Sequence, residues 1–150
     1  MQPRISVGRR KNAIARVKLL DGSGKLLVNA REFENYFPLA IQRDEILKPF
    51  KVTDTMGRYD AQVRVNGGGP AGQAGAVRLG IARSLVALDE DFRLALRGAG
   101  LLTRDPRMVE RKKYGHEKAR KRFKFSKIQF FNAPATAVVQ SLRFINNHIL

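Results

Sequence analysis

Between Val7 and Leu19 apolar and polar side chains alternate: Val7, Ala13, Ala15, Val17 and Leu19 fall on odd positions, and Arg10, Asn12, Arg16 and Lys18 on even ones. This period of two predicts a β-strand with one core face and one basic face. The cluster Asp21-Gly22-Ser23-Gly24 supplies turn chemistry, so Lys25 to Val28 is expected to return as the second strand of a hairpin. Short helical pieces are expected at Glu32 to Phe37 and Arg43 to Leu47, separated by Pro38 and stopped by Pro49. Tyr59, Ala61, Val63 and Val65 alternate with Asp60, Gln62 and Arg64, which predicts a third strand with one side open to solvent or RNA.

Farther along, the period changes. Val77, Ile81, Leu85 and Leu88 recur at helical spacing with Arg78 and Arg83 off the stripe, so Gln73 to Leu88 is expected as the main core helix. Asp89 is placed to cap a short helix through Arg97, with Glu90 and Asp91 in its first turn and Gly98 or Gly100 ending it. Pro106 and a run of charge then end regular structure. The pattern describes a compact α+β core over residues 1–103, without repeats.

Charge changes the picture after Thr103. Residues 104–127 hold eleven Lys/Arg against three Asp/Glu, half of the chain's formal +16. Tyr114, Phe123 and Phe125 lie among these cations and Gly115 interrupts helix formation, the make-up of an extended arm that conforms to a polyanion. The arm lacks the apolar face of a membrane-surface helix, so nucleic acid is the expected partner and no membrane is. A second, smaller group, Arg9, Arg10 and Lys11 with Arg16 and Lys18, forms a ribbon of charge along the first strand, suited to a phosphate backbone.

Candidate chemistry subtracts more than it adds. With no Cys there is no disulfide frame and no thiolate, which leaves the compartment open with a lean towards the cytosol. No apolar leader or membrane-length run is seen, and a soluble protein is expected. His116 and His148 stand alone, without further ligands at metal spacing, and neither Ser84 nor Ser126 has a sequence neighbour that would activate it. Gly67, Gly69 and Gly72 formally fit G-x-G-x-x-G, but Pro70 removes one amide and no Lys-Ser/Thr follows. A tight strand-to-helix turn is therefore preferred to a nucleotide loop. No enzyme activity and no cofactor are expected.

Several stretches together carry a family likeness: residues 8–17 (GRRKNAIARV), 65–69 (VNGGG), 79–83 (LGIAR), 102–107 (LTRDPR) and 110–115 (ERKKYG), in that order. Over Val7 to Lys127 the chain resembles the small-subunit ribosomal protein S nine family in its bacterial and chloroplast form. The resemblance implies a ribosomal-protein fold with a left-handed β-α-β crossover, a small sheet backed by helices, and a long basic C-terminal arm. It implies a structural constituent of the ribosome, in the bacterial cytoplasm or the chloroplast. The core would bind ribosomal RNA of the subunit head beside neighbouring ribosomal proteins, and the arm would thread towards P-site transfer RNA. On this chain Arg104, Arg107, Arg111, Lys112, Lys113, Tyr114, Arg120, Lys121 and Arg122 would hold ribosomal RNA, as would Arg9, Arg10, Lys11, Arg16 and Lys18. Lys124, Ser126 and Lys127 would lie nearest the transfer RNA.

The likeness breaks at Lys127. The family pattern ends near Phe-Ser-Lys-Arg, whereas here residues 128–150 continue with an apolar-rich segment containing only Arg143 among Lys/Arg. Pro134 divides it, and Val138, Val139, Leu142, Ile145 and Ile149 are spaced for a short helix. Three readings stay open: an addition that packs on a neighbouring protein, a readthrough or frameshifted tail, or a disordered tail.

Overall fold

The computed structural model describes residues 4–124; Phe125, Ser126, Lys127 and the apolar segment 128–150 lie outside the described residues. The described chain contains β1 (Ile5–Arg10), β2 (Ala13–Asp21), β3 (Leu26–Val28), β4 (Arg31–Glu32), α1 (Phe33–Tyr36), α2 (Ala40–Val52), β5 (Tyr59–Asn66), α3 (Pro70–Leu88) and α4 (Phe92–Gly98). The fold is α+β: one mixed five-stranded sheet in the order β1-β2-β5-β3-β4, with α3 packed across β1 and β2 and α2 packed on α3.

The expected strand from Val7 to Leu19 is in fact a hairpin. β1 and β2 pair antiparallel with Arg10 opposite Ala13, and Lys11 turns the chain at φ 51°. A two-residue loop places residues 10 and 13 on the same face, so the parity of the alternation flips across it. In β2 the odd residues Ala13, Ala15, Val17 and Leu19 are buried, as the pattern predicts. In β1 the buried residue is Gly8, and Val7 faces the other way, opposite Arg16.

The expected hairpin, β2 to β3, does not form. β5 inserts between them, antiparallel to β2 and parallel to β3, with Leu26 opposite Ala61 and Val28 opposite Val63. Asp60 of β5 explains how the turn is redirected. Its Oδ1 accepts the Ser23 N–H at 2.9 Å and the Lys25 N–H at 2.7 Å. Gly22 donates to the Arg58 carbonyl at 3.0 Å, and a Cβ on Gly22 would meet the Asp60 carboxylate at 2.1 Å. Turn residues 22–25 are thus fastened to β5 instead of to a β2–β3 ladder.

The Lys25 N–H, ahead of those of Ser23 and Gly24, holds the Asp60 carboxyl below its usual 3.8. A carboxylate with a depressed native pKa stabilises the fold above the ordinary carboxylate range and loses that contribution as acid protonates it. Asp60→Asn is therefore expected to melt at lower temperature than the parent at pH 7. The gap should close on acidification from about pH 5 to about pH 3. Melting curves across that range check it, and parallel acid limbs would remove Asp60 from the account.

Beyond β3, Asn29 (φ 49°) and Ala30 (φ 62°) make a two-residue turn into β4, both in the left-handed region as a type I′ hairpin demands. Asn29 also extends the sheet through its side chain. Its Oδ1 accepts the Val65 N–H at 2.9 Å and its Nδ2 donates to the Val65 carbonyl at 3.0 Å. The first helical piece shrinks to α1, and the second outgrows its expected limits at both ends. Pro49 does not stop α2, because Pro49 and Phe50 are buried with Ile46, and the packed face holds the helix together past the missing N–H. Thr53 closes it, donating its backbone N–H and its hydroxyl to the Pro49 carbonyl at 3.2 and 3.0 Å.

α3 contains the expected core stripe and more. Val77, Ile81 and Leu85 are at most 1 % exposed, but Leu88 at its end is half exposed. Gly72, Ala74, Gly75, Ala76, Gly80 and Ala82 are buried as well, because α3 is covered by the sheet on one side and α2 on another. Ser84 serves the helix itself, donating to the Gly80 carbonyl at 3.0 Å. Asp89 closes α3 rather than opening α4. Its N–H bonds the Leu85 carbonyl, its carboxylate accepts the Asp91 N–H, and α4 begins at Phe92 after Asp91.

Candidate nucleic-acid interface

Two groups of cations result, and the chain divides into two compact units, Met1–Val109 and Glu110–Leu150, within the basic stretch. In the first unit the even residues of β2 and β5 point away from α3. Arg16 stands directly opposite Arg64, and Lys18 opposite Gln62. On the other side of β2, Val7 is opposite Arg16, Ile5 opposite Lys18 and Arg9 opposite Ile14. Arg9, Arg16 and Lys18 therefore share the open face of the sheet, and Lys11 is exposed in the adjoining turn.

Arg10 parts company with them. Its guanidinium lies on the helix side and donates to Glu45 Oε1 at 3.1 Å and to the Ala71 carbonyl at 3.2 Å. Arg78 donates to the same Glu45 oxygen at 3.1 Å, and Arg10 Nε is 3.6 Å from Asp105 Oδ2. Two guanidiniums and two carboxylates thus tie β1, α2 and α3 to the root of the arm. Asp105 also accepts the Arg107 N–H at 3.0 Å across Pro106, and that bond, followed by the charges of Arg107, Arg10 and Arg78, holds its carboxyl below the ordinary range. Arg104 and Arg107 are exposed on either side of this anchor.

In the second unit the described arm has no helix and no strand beyond one bridge between His116 and Arg122. Gly115 (φ 70°) turns the chain, and the Glu117 N–H bonds the Lys121 carbonyl at 2.9 Å. Arg120 forms a two-point pair with Glu110, which lowers the carboxyl and raises the guanidinium. Lys121 bonds Glu117 at 2.8 Å. Arg111, Lys112, Lys113, Arg122 and Lys124 are exposed and form no ion pair among the described residues; the Tyr114 ring is fully exposed and Phe123 largely so.

The glycine run folds as the preferred turn. Gly67 (φ 73°) and Gly68 (φ 67°) lead into Gly69, the residue that precedes α3, with Pro70 in its first turn. A Cβ on Gly67 would meet the Asn12 carbonyl at 2.6 Å, so the turn is shaped by close packing on the β1–β2 loop. Among the described residues no group of His, Cys, Asp or Glu is arranged to hold a metal, and no helix is long and apolar enough to cross a membrane.

Sequence reasoning set Arg64, Gln62 and Asp60 on a strand side open to solvent or RNA but gave none of them a binding or anchoring role, and it gave none to Asn29. The alternation in β5 was a signal for the first two, but only pairing with β2 brings Arg64 beside Arg16. The family model described as ribosomal protein S9/S16 matches residues 8–128 of the chain, which takes in the sheet from Gly8 of β1 onward, α3 and the described arm.

Proposed function

Since the chain belongs to the ribosomal protein S9/S16 family, whose role in the ribosome is structural, we propose that its cations bind ribosomal RNA of the small-subunit head and that its arm reaches P-site transfer RNA. The observation that carries this reading is the row of exposed arm cations, Arg104, Arg107, Arg111, Lys112, Lys113, Arg122 and Lys124, with few carboxylates to neutralise them. Arginine binds phosphate through two parallel N–H bonds, lysine supplies mobile charge, and an exposed Tyr114 can stack on an unpaired base. Arg120 and Lys121 join this set by exchanging Glu110 and Glu117 for phosphate. Arg9, Lys11, Arg16 and Lys18 contact RNA from the core, and Arg10 supports them by holding the arm's root against it. Lys124, Ser126 and Lys127 are assigned to the transfer RNA, and neighbouring proteins of the subunit head complete the surroundings. The ribosome concerned is of bacterial type, cytoplasmic or in the chloroplast.

Small subunits reconstituted with the full chain test both parts. The core and arm should protect head-domain RNA from chemical cleavage. The triple variant Lys124→Ala, Ser126→Ala, Lys127→Ala should leave that protection intact while P-site transfer RNA dissociates about tenfold faster, the loss of one or two charge-assisted contacts. Unchanged dissociation would remove the transfer-RNA assignment alone, and absent protection of the head RNA would remove the reading as a whole.

A further inference from the structure

The open face of the sheet carries a shallow depression of about 520 Å³ lined by Ile5, Arg16, Lys18, Leu27, Gln62 and Arg64 among others, with no carboxylate in its lining. Arg16 and Arg64 are direct cross-strand partners, and Lys18 follows two residues along the same face. None of these three cations forms an ion pair among the described residues. Like charges directly opposite each other in a sheet destabilise it. No carboxylate lines this depression and neither guanidinium is ion-paired among the described residues, so an anion seated between them would offset that cost.

The remainder of the lining narrows the anion. Ile5 is 65 % and Leu27 42 % exposed, so apolar surface flanks the cations, and Gln62 offers both a donor and an acceptor beside them. A bare phosphate or a duplex backbone would use the charges and leave the apolar walls wet. An unpaired nucleotide uses everything: phosphate against Arg16 and Lys18, base face against the Arg64 plane and the apolar walls, base edge against Gln62. The volume lies within the range of pockets that hold molecules of about that size.

We propose that this open face is a docking site for an unpaired RNA nucleotide, with Arg64 and Gln62 as binding residues beside Arg16 and Lys18. The inference rests on RNA being the partner, as argued for the chain above, and adds a second, single-strand-selective contact separate from the arm.

The test uses the full chain with the double change Arg16→Gln, Arg64→Gln, and the single change Arg64→Lys, against a short single-stranded RNA, a blunt duplex of matching composition and a head-domain ribosomal RNA fragment. Without RNA, the double variant should melt at or above the parent's temperature, since the cross-strand repulsion is gone. Its affinity for the single strand should fall about tenfold or more, the scale of losing a stacking and phosphate contact, and its duplex affinity by less than about threefold. Arg64→Lys keeps the charge and should retain duplex binding while losing most of the single-strand preference. Equal losses on both RNAs would overturn the nucleotide assignment, as would unchanged single-strand affinity. The parent's own binding to the head-domain fragment is a separate readout: its absence defeats the RNA reading, whereas parent binding with insensitive sheet variants defeats only the docking site.

Discussion

Replacing Arg104, Arg107, Arg111, Lys112 and Lys113 together with Gln is expected to make the salt dependence of RNA binding much shallower. Each phosphate contact releases a counterion and adds about 0.7–0.9 to the slope of log affinity against log salt. Five lost contacts therefore flatten the slope by about 4. If the electrostatic term vanishes near about 1 M salt, the two proteins bind alike there and differ on the order of 10³–10⁴-fold near about 0.1 M. The parent itself should show a slope equivalent to about five to eight contacts. Arg107 and Arg111 changed to Lys keep the charge, so they should keep the slope and lose affinity only through the missing two-point geometry. The measurement is a salt titration of binding to head-domain RNA, with melting curves alongside. These side chains are exposed, so the fold should be unaffected, and an unchanged slope would show that the arm is not the main phosphate-binding element.

Gly8→Ala is expected to be the most destabilising single-methyl change in the core. A Cβ at Gly8 would sit 1.9 Å from the Ala76 carbonyl oxygen and 2.5 Å from the Gly80 amide nitrogen. Both are backbone atoms in the middle of α3, so no rotamer change can make room. From the other side, a Cβ on Gly80 would meet Val17 Cγ2 at 2.6 Å. β1 and α3 therefore approach as closely as two backbones can, and one methyl group must lift the helix from the sheet. Overpacking of this kind costs about 3 kcal/mol, a large part of the roughly 5–15 kcal/mol that holds a typical domain folded. A fall in melting temperature on the order of 10 °C is expected. Gly98→Ala is the control, because nothing lies within 4 Å of its added Cβ and its φ is unremarkable for a side chain. It should be neutral or stabilise by up to about 1 kcal/mol. Denaturant unfolding of both variants decides the matter, and similar effects at the two positions would show that the β1–α3 contact yields.

Close approach at Gly8 also explains why the alternation of the first strand points to the wrong face. Its inward-facing residue is a glycine, which carries no hydrophobic signal, so the pattern singles out Val7 instead. The same blindness applied to Arg10. A charged residue inside a basic run reads as solvated, but here it meets Glu45 from α2 and Asp105 from the arm's root, 35 and 95 positions away in the chain. Asp60 shows the converse, since a polar residue on an alternating strand gives no local sign that it holds a distant turn.

What the chain determines by itself is whatever depends on near neighbours. The two faces of β2 and β5, the stripe Val77, Ile81 and Leu85, the glycine turn before α3 and the density of charge after Thr103 are all properties of residues a few positions apart, and each was legible. The tertiary structure decided which strands meet. It placed β5 between β2 and β3, folded the first basic run into a hairpin, withdrew Arg10 from the charged ribbon and set Arg64 opposite Arg16. Pairing partners in a sheet are chosen by the burial of whole faces and by fixed turns elsewhere, here the Asp60 clamp and the glycine contact with α3. That choice is a collective free energy of the folded chain, and no local period encodes it.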